Sequence, residues 1–168
     1  MATSPAVGES APTKADSGML TGDPLALERQ VCFALAVANR SVLAVYRPLL
    51  EPMGLTHPQY LVMLALWGES PLSVKEIGTL LQLDSPTLSP LLKRLASAGL
   101  ITRTRSSDDE RLLLIDLTEA GHRLREHAVR IPPAVVAELG MELSELESLH
   151  ASLTHVIAAA RASGVKVV

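Results

Sequence analysis

Apolar residues recur along this chain at spacings of three and four, a pattern that places side chains on one face of an α-helix. The first long run extends from Leu25 to Tyr46 and follows Asp23-Pro24, a pair typical of a helix start. Because Pro48 disfavours helical backbone at Arg47, we expect the helix to end or bend there. The pattern therefore predicts a long first helix with a broad apolar face.

The last part of the chain carries a second long amphipathic run. Ser144-Glu-Leu-Glu147 matches a capping box, so we predict that a helix opens there. Its apolar positions follow a near-heptad spacing, which is typical of helices that pack against other helices: Leu146, Leu149, Leu153, Val156 and Ala160.

Between the two long helices, capping and turn residues divide the chain into shorter elements. Predicted helices occupy residues 48–53, 56–67, 73–82 and 86–98, with the turn between the last two at residues 83–85. A β-hairpin over residues 100–105 and 112–117 follows. Thr118 then caps a helix to about Arg130, which Pro132-Pro133 breaks.

Two short helices joined by a tight turn and followed by a hairpin are the parts of a winged helix-turn-helix, which we place at about residues 56–118. Hydrophobic residues make up 48% of the chain and aromatic residues only 2%, a balance that favours helices over sheets. The predicted fold class is mainly α with a small β-hairpin wing (α+β). With 168 residues we expect one domain over residues 23–168, preceded by a disordered tail over residues 1–22.

Composition narrows the class of protein. Cys32 is the single cysteine and cannot form an intrachain disulfide. No apolar run reaches the roughly 18 residues of a membrane span and no secretory signal is visible, so we expect a cytoplasmic protein without a membrane partner. The histidines show no metal-ligand spacing, and we predict no metal, no cofactor and no catalytic residue. The net charge of −3 does not favour nucleic-acid binding, so that hypothesis depends on where the cations lie.

The helix from Pro86 to Ala98 has the two faces that a DNA-reading helix requires. Its leucines lie on one side. The opposite side combines small hydroxyl groups near the helix start with two cations, which suits entry into a major groove about 12 Å wide. The candidate DNA-binding residues of this helix are Ser85, Thr87, Ser89, Pro90, Lys93 and Arg94. Pro90 removes one helical hydrogen bond, which is consistent with a local bend.

The predicted hairpin supplies further cations. Arg103 and Arg105 lie on its first strand, and Asp109 and Arg111 lie at its tip. Arg111 is a candidate for insertion into a minor groove, where narrow A·T tracts concentrate negative potential, and Asp109 is placed to orient it. The alternative is a solvated surface hairpin with an exposed ion pair of little energetic worth.

Several of these segments resemble MarR-type regulators. Asp109-Glu-Arg111 followed by Leu117-Thr118-Glu-Ala-Gly121 is similar to their wing-to-helix signature. Residues 55–61 and 83–95 resemble the organic-hydroperoxide-sensing (OhrR) branch. The resemblance spans residues 23–162 and implies a homodimeric winged-helix repressor that binds double-stranded, pseudo-palindromic operator DNA. It also implies that the first and last helices, about residues 24–47 and 145–163, form the dimer interface.

The lone cysteine has two interpretations. A free cysteine is most often a small buried hydrophobe, because a reactive thiol needs a stabilised thiolate. The resemblance, however, implies a peroxidatic Cys32 in the segment Cys-Phe-x-Leu, supported by the hydroxyl of Tyr46. A second supporting tyrosine of some relatives falls near Ala36 here.

The spacing of Cys32 and Tyr46 restricts how they can meet. They are fourteen residues apart, or about 21 Å along a continuous helix, so contact requires a bend or a second subunit. Without a second cysteine, the expected product is a sulfenic acid that a small thiol traps as a mixed disulfide or that is over-oxidised.

Three functions remain open at this point. The leading hypothesis is a non-enzymatic repressor that releases its operator when an organic hydroperoxide oxidises Cys32. The second is a repressor released by a small phenolic or lipophilic ligand, with Cys32 structural. The third is a thiol peroxidase, which no activating motif around the cysteine favours.

Overall fold

The computed structural model describes residue 23 and residues 25–105, 109 and 112–164. Within this part, seven α-helices and three strands follow one another: α1 Val31–Leu50, α2 His57–Gly68, β1 Leu72–Ser73, α3 Val74–Leu81, α4 Ser85–Ser97, β2 Ile101–Arg105, β3 Leu113–Leu117, α5 Glu119–Ala128, α6 Ile131–Leu139 and α7 Leu143–Ala162. Short 3-10 turns cover Leu27–Arg29 and Glu51–Met53. The predicted tail at residues 1–22 lies outside the described residues.

The chain divides into two compact units, residues 1–40 and residues 41–168. In the first unit, the described residues are a 3-10 turn and the beginning of α1, whose Val31, Phe33 and Leu35 side chains are exposed. The second unit holds the core and the sheet.

A three-stranded antiparallel sheet lies in the second unit, in the order β1-β3-β2. The predicted hairpin is present, with Ile101 opposite Leu117 and Arg105 opposite Leu113. Strand β1 was not predicted, because it is only two residues long and is defined by its pairing with β3. The fold is thus mainly helical with a small sheet, as the pattern predicted.

The core of the second unit is aliphatic. Its fully buried side chains come from the end of α1, from the helices α2 to α4 and from the central strand: Leu50, Val62, Met63, Leu66, Ile77, Leu88, Leu92, Leu95 and Ile115. Helices α3 and α4 each pack a leucine- or isoleucine-bearing face into this core. Burial of those faces holds the helix-turn-helix against the sheet.

Predicted helix caps are present at three helix starts. The Ser73 hydroxyl accepts a hydrogen bond from the Glu76 amide at 3.2 Å, and the Glu76 carboxylate accepts one from the Ser73 amide at 2.7 Å. The Gln59 side chain accepts from the Thr56 amide at 2.9 Å. Thr118 accepts from the Gly121 amide at 3.0 Å at the start of α5. These caps satisfy amides that a helix leaves unpaired at its first turn.

The two ends of the first helix differ from the prediction. Asp23 accepts from the Leu25 amide at 2.9 Å, so it caps a short turn, and α1 begins later, at Val31. At the other end, α1 continues through Pro48 to Leu50. Leu50 is only 1% exposed, and its burial holds the last turn although Pro48 donates no hydrogen bond.

The region before and at the start of the C-terminal helix differs from the prediction at two points. Helix α5 ends at Ala128, close to the predicted Arg130, but Pro132-Pro133 then lies in the first turn of an unpredicted helix, α6, where amide hydrogens have no helical partner and proline is tolerated. The capping contact of α7 forms two residues earlier than predicted, since the Glu142 amide donates to the Glu145 carboxylate at 2.9 Å. Helix α7 therefore starts at Leu143.

The expectation of no membrane-length apolar segment needs correction. Within the 23-residue stretch Val31–Met53, an 18-residue window has a mean hydropathy of 1.2, which makes the stretch a candidate span by length and composition. Arg40 and Arg47 divide this stretch into shorter apolar runs, although its mean hydropathy remains high. This is weak evidence for a membrane span, and only 6% of the window is buried within the chain.

Candidate nucleic-acid interface and candidate redox site

Helix α4 separates buried leucines from an exposed polar face. Leu88, Leu92 and Leu95 are at most 1% exposed and belong to the core. The six residues predicted to read DNA are all exposed: Ser85, Thr87, Ser89, Pro90, Lys93 and Arg94. The structure therefore brings these six side chains together on the solvent side of one helix, where a groove of DNA has access to them.

The first turn of α4 is fixed by local hydrogen bonds. The Asp84 carboxylate accepts from the Thr87 amide at 2.9 Å and caps the helix. Hydrogen bonds from the Thr87 side chain and from its amide hold the pKa of Asp84 below its ordinary value. The Ser89 hydroxyl donates to the Ser85 carbonyl at 2.7 Å. Helix α4 continues through Pro90 without interruption.

Strand β2 adds two cations beside this helix. Arg103 and Arg105 are exposed and two residues apart, so they share one face of the strand. Among the residues that the structure describes, neither of them forms a salt bridge, and the same holds for Lys93 and Arg94. Four cations on α4 and β2 thus remain available to phosphate or base acceptors.

The tip of the hairpin is described only in part. Asp109 is exposed, and its carbonyl accepts from the Leu112 amide at 2.9 Å. Arg111, the predicted minor-groove residue, lies outside the described residues. The expected pairing of Asp109 with Arg111 stays a prediction.

The base of the wing is tied firmly to helix α5. Thr118 donates from its hydroxyl to the Gly99 carbonyl at 2.6 Å. Any side chain at Gly121 would collide with the Leu100 carbonyl, so the glycine is required by close approach. The Gly121 carbonyl in turn accepts from the Trp67 indole at 2.9 Å. This joint gives a structural reason for the segment Leu117-Thr118-Glu-Ala-Gly121.

Cys32 lies in the first turn of α1 and is exposed within one chain. The expectation of a small buried hydrophobe therefore does not hold for the isolated chain. Ala36 lies one turn further and is also exposed.

Tyr46 lies on the same helix as Cys32 and contacts α2. Its ring meets the His57 ring edge-on, with 4.9 Å between the ring centroids, and lies 6.1 Å from the Tyr60 ring. The Tyr46 hydroxyl forms no hydrogen bond with a described residue. Burial lowers the pKa of His57, and burial together with Tyr46 raises the pKa of Tyr60.

His57 was missed as a site residue. Its spacing of three from Tyr60 places both side chains on one face of α2, but nothing in the sequence shows that Tyr46 packs against that face.

A cleft of about 330 Å³ opens between the end of α1, the following 3-10 turn and helices α5 and α6. Its walls are mainly apolar, and two cationic or titratable side chains, His127 and Arg130, also line it. The apolar lining residues are Pro48, Leu49, Pro52, Met53, Leu124, Ile131 and Ala134.

A protein-family model described as "Transcriptional regulator SarA/Rot" matches residues 44–127. This range includes the helix-turn-helix, the hairpin and most of α5.

Individual relatives extend this likeness over most of the chain. The "Organic hydroperoxide resistance transcriptional regulator" of Bacillus subtilis (strain 168) is 46% identical over 129 residues, which cover 75% of this chain and 88% of the relative. The structure of reduced AbfR bound to DNA is 34% identical with a TM-score of 0.64, and covers 80% of this chain and 97% of that one. AbfR is a protein of Staphylococcus epidermidis.

A second structure, "Structure of Disulfide formed AbfR", is 36% identical with a TM-score of 0.57, and covers 84% of this chain and 99% of that one.

Proposed function

Since this chain belongs to the MarR family of winged-helix, DNA-binding transcriptional regulators, we propose that it is a cytoplasmic homodimeric repressor that releases its operator when an organic hydroperoxide oxidises Cys32. The chain is a regulator of transcription and not an enzyme. The signal that this regulator senses and the roles of its individual residues are what we propose.

The exposed polar face of α4 carries the DNA-binding half of the proposal. Its hydroxyl groups and the cations Lys93 and Arg94 are held outward because the leucines of the same helix are buried. Arg103 and Arg105 on β2 add two further exposed cations. We assign α4 to the major groove and the wing to the adjacent backbone or minor groove.

The exposed apolar side chains of α1 and α7 support a homodimer. Helix α7 has no buried residue within one chain, and its apolar side chains Leu149, Val156 and Ile157 are between 40% and 47% exposed. Phe33 and Leu35 of α1 are each 37% exposed. A second copy that covers these faces accounts for them, and also for the membrane-like hydropathy of α1.

The proposed oxidation takes place at the Cys32 sulfur. The thiolate attacks the terminal oxygen of the hydroperoxide, so an S–O bond forms, the O–O bond breaks and the sulfur loses two electrons. The alkoxide leaves and takes up a proton as an alcohol. A small thiol then condenses with the sulfenic acid, releases water and leaves a mixed disulfide. The Tyr46 hydroxyl of a second subunit is the proposed donor to the thiolate, because Cys32 and Tyr46 of one chain lie about 21 Å apart along the same helix.

Oxidation is proposed to act through the dimer geometry. A pair of recognition helices must match half-sites about one DNA turn apart, roughly 34 Å. A larger or charged group on Cys32 at the contact between subunits changes that spacing, and a small change weakens both half-site contacts together.

The test compares operator binding of the reduced wild type and Cys32→Ser, before and after cumene hydroperoxide. Both proteins should bind equally when reduced, and only the wild type should release DNA after oxidant. Release by Cys32→Ser to the same extent would overturn the cysteine switch. Mass analysis of Cys32 in the same samples connects release to the modification.

The cleft beside α5 and α6 favours a second candidate function. Its apolar walls with His127 and Arg130 suit a small apolar ligand that carries an anionic group. In this alternative the ligand releases DNA while Cys32 stays reduced. Displacement of operator by such an acid with the thiol count unchanged, and its loss in Met53→Trp, would support this function over the redox switch.

A further inference from the structure

Three of the chain's four aromatic side chains form one contiguous strip. The sequence contains one Trp, two Tyr and one Phe, and all but the Phe take part. Tyr60 bridges the strip, with its ring 6.1 Å from that of Tyr46 and 6.2 Å from that of Trp67. Trp67 is anchored by its hydrogen bond to the Gly121 carbonyl. The far end of the strip is therefore fixed to α5, and its near end is Tyr46.

His57 holds the near end of this strip. Its ring meets the Tyr46 ring at 72° with 4.9 Å between centroids, which is shorter than either ring contact within the strip. Edge-to-face contacts of this kind hold two rings in a defined mutual orientation. Because burial lowers the pKa of His57, its ring is neutral near pH 7 and packs without a buried charge.

The backbone of His57 is itself fixed. Thr56 before it is held by the Gln59 side chain, which accepts from the Thr56 amide at 2.9 Å and from its hydroxyl at 2.8 Å. Pro58 after it has a restricted φ angle in the first turn of α2. His57 thus presents its ring to Tyr46 from a rigid helix start.

The Tyr46 hydroxyl has no hydrogen-bond partner among the residues that the structure describes. Its position is consequently set by what holds its ring, which packs against the core and meets the rings of His57 and Tyr60.

We propose that His57 is a positioning residue for Tyr46: it fixes the Tyr46 ring so that the hydroxyl donates to the thiolate of Cys32 in the second subunit. The proposal rests on the redox function proposed above and assigns His57 no contact with the thiol. Loss of the His57 ring lets Tyr46 leave its orientation, and oxidation of Cys32 slows because the thiolate loses its donor.

The experiment is a double-mutant cycle on the rate of Cys32 thiol loss with cumene hydroperoxide. It uses full-length reduced wild type, Tyr46→Phe, His57→Ala and the double variant. Because Tyr46→Phe removes a hydrogen bond to a charged group, it should slow the oxidation of Cys32 by about tenfold or more. His57→Ala should slow the reaction several-fold, at most as much as Tyr46→Phe, and should add nothing in the Tyr46→Phe background.

Two further variants separate positioning from general packing. His57→Phe keeps an aromatic edge and should recover most of the wild-type rate. His122→Ala, which removes an exposed histidine of α5, should leave it unchanged. Melting temperature and operator affinity of the reduced proteins show whether each variant is folded, and His57→Leu replaces His57→Ala if the latter unfolds.

The outcomes distinguish this proposal from the one on which it depends. If Tyr46→Phe is slow but His57→Ala is as fast as wild type, or if the two losses multiply, His57 does not act through Tyr46. If Tyr46→Phe is as fast as wild type, the tyrosine role fails and the positioning role with it. If Cys32 does not react at all, the redox function itself is overturned.

Discussion

Helices α4 and α7 are both amphipathic, but they differ in how much of their apolar surface one chain covers. On α4, Leu88, Leu92 and Leu95 are almost completely buried. On α7, Leu149, Val156 and Ile157 remain exposed, and no residue of that helix is buried. The same periodicity thus produces an apolar face that one chain buries in α4, which we call the finished face, and an apolar face that one chain leaves exposed in α7, which we call the unfinished face.

This difference separates the two halves of the proposed function. The DNA-reading surface is built by packing within one chain, so its exposed cations are in place before any partner arrives. The surroundings of Cys32 depend on a second subunit, since the first helix exposes its apolar side chains. Perturbations of α7 should therefore act through assembly, and perturbations of α4 should act directly on DNA.

The largest effect is expected from a charge on the unfinished face. Val156→Glu places a carboxylate where an apolar dimer contact is proposed, and burying it without a partner is strongly unfavourable. The dimer should dissociate at micromolar concentration, and operator affinity should fall by about 100-fold or more, because the two half-sites are no longer bound together. Analytical ultracentrifugation and operator titration measure the two effects.

Ala151→Glu is the matched control for this prediction. Ala151 is exposed and lies roughly opposite Val156 around α7, so its replacement by glutamate introduces the same charge on the other face of the helix. It should leave a dimer with wild-type affinity. If Val156→Glu also remains a dimer, the proposed role of α7 is wrong and the two helices do not differ as described.

A smaller effect is expected on the finished helix. Arg94→Ala removes an exposed α4 cation placed for a guanine or a phosphate, and should cost about 1–3 kcal/mol of operator binding, or roughly 5- to 150-fold. The dimer should persist. Arg123→Ala removes the same charge from α5 and should have little effect on operator affinity.

The salt dependence of Arg94→Ala tells which group it contacts. A phosphate contact predicts a uniform loss across DNA sequences and a salt slope smaller by about one. A base contact predicts a larger loss on the operator than on unrelated DNA. Equal affinities of Arg94→Ala and Arg123→Ala would remove α4 from the DNA interface.

The elements that could be predicted from the sequence are those with local signals. Capping residues placed the starts of α2, α3 and α5, and apolar spacing separated the two faces of α4, because both effects act within a few residues. The hairpin followed from its turn and strand composition.

The remaining features depend on contacts between distant segments or on position within an element. Strand β1 exists only through its pairing with β3. Pro132-Pro133 was interpreted as a helix end, whereas the same residues are acceptable at a helix start. The contact of His57 with Tyr46 requires the end of α1 to pack on α2, which no local pattern encodes.

The smallest effect is expected at the cap of α4. Asp84→Asn keeps a side-chain oxygen that can accept from the Thr87 amide but removes the charge that interacts favourably with a helix N-terminus. The melting temperature at pH 7 should fall by about 1 to 3 °C. Thermal unfolding followed by circular dichroism over a pH series measures it.

The pH series gives this prediction its sign. Because the folded pKa of Asp84 is lowered from 3.8, its stabilising contribution is complete above that value and is lost as the pH falls through the lower folded pKa. The difference between wild type and Asp84→Asn should therefore be constant at neutral pH and vanish in acid. It should also be independent of protein concentration, because the cap closes within one chain, whereas the defect of Val156→Glu should grow on dilution. A concentration-dependent Asp84→Asn defect would mean that α4, too, is completed only by the second subunit.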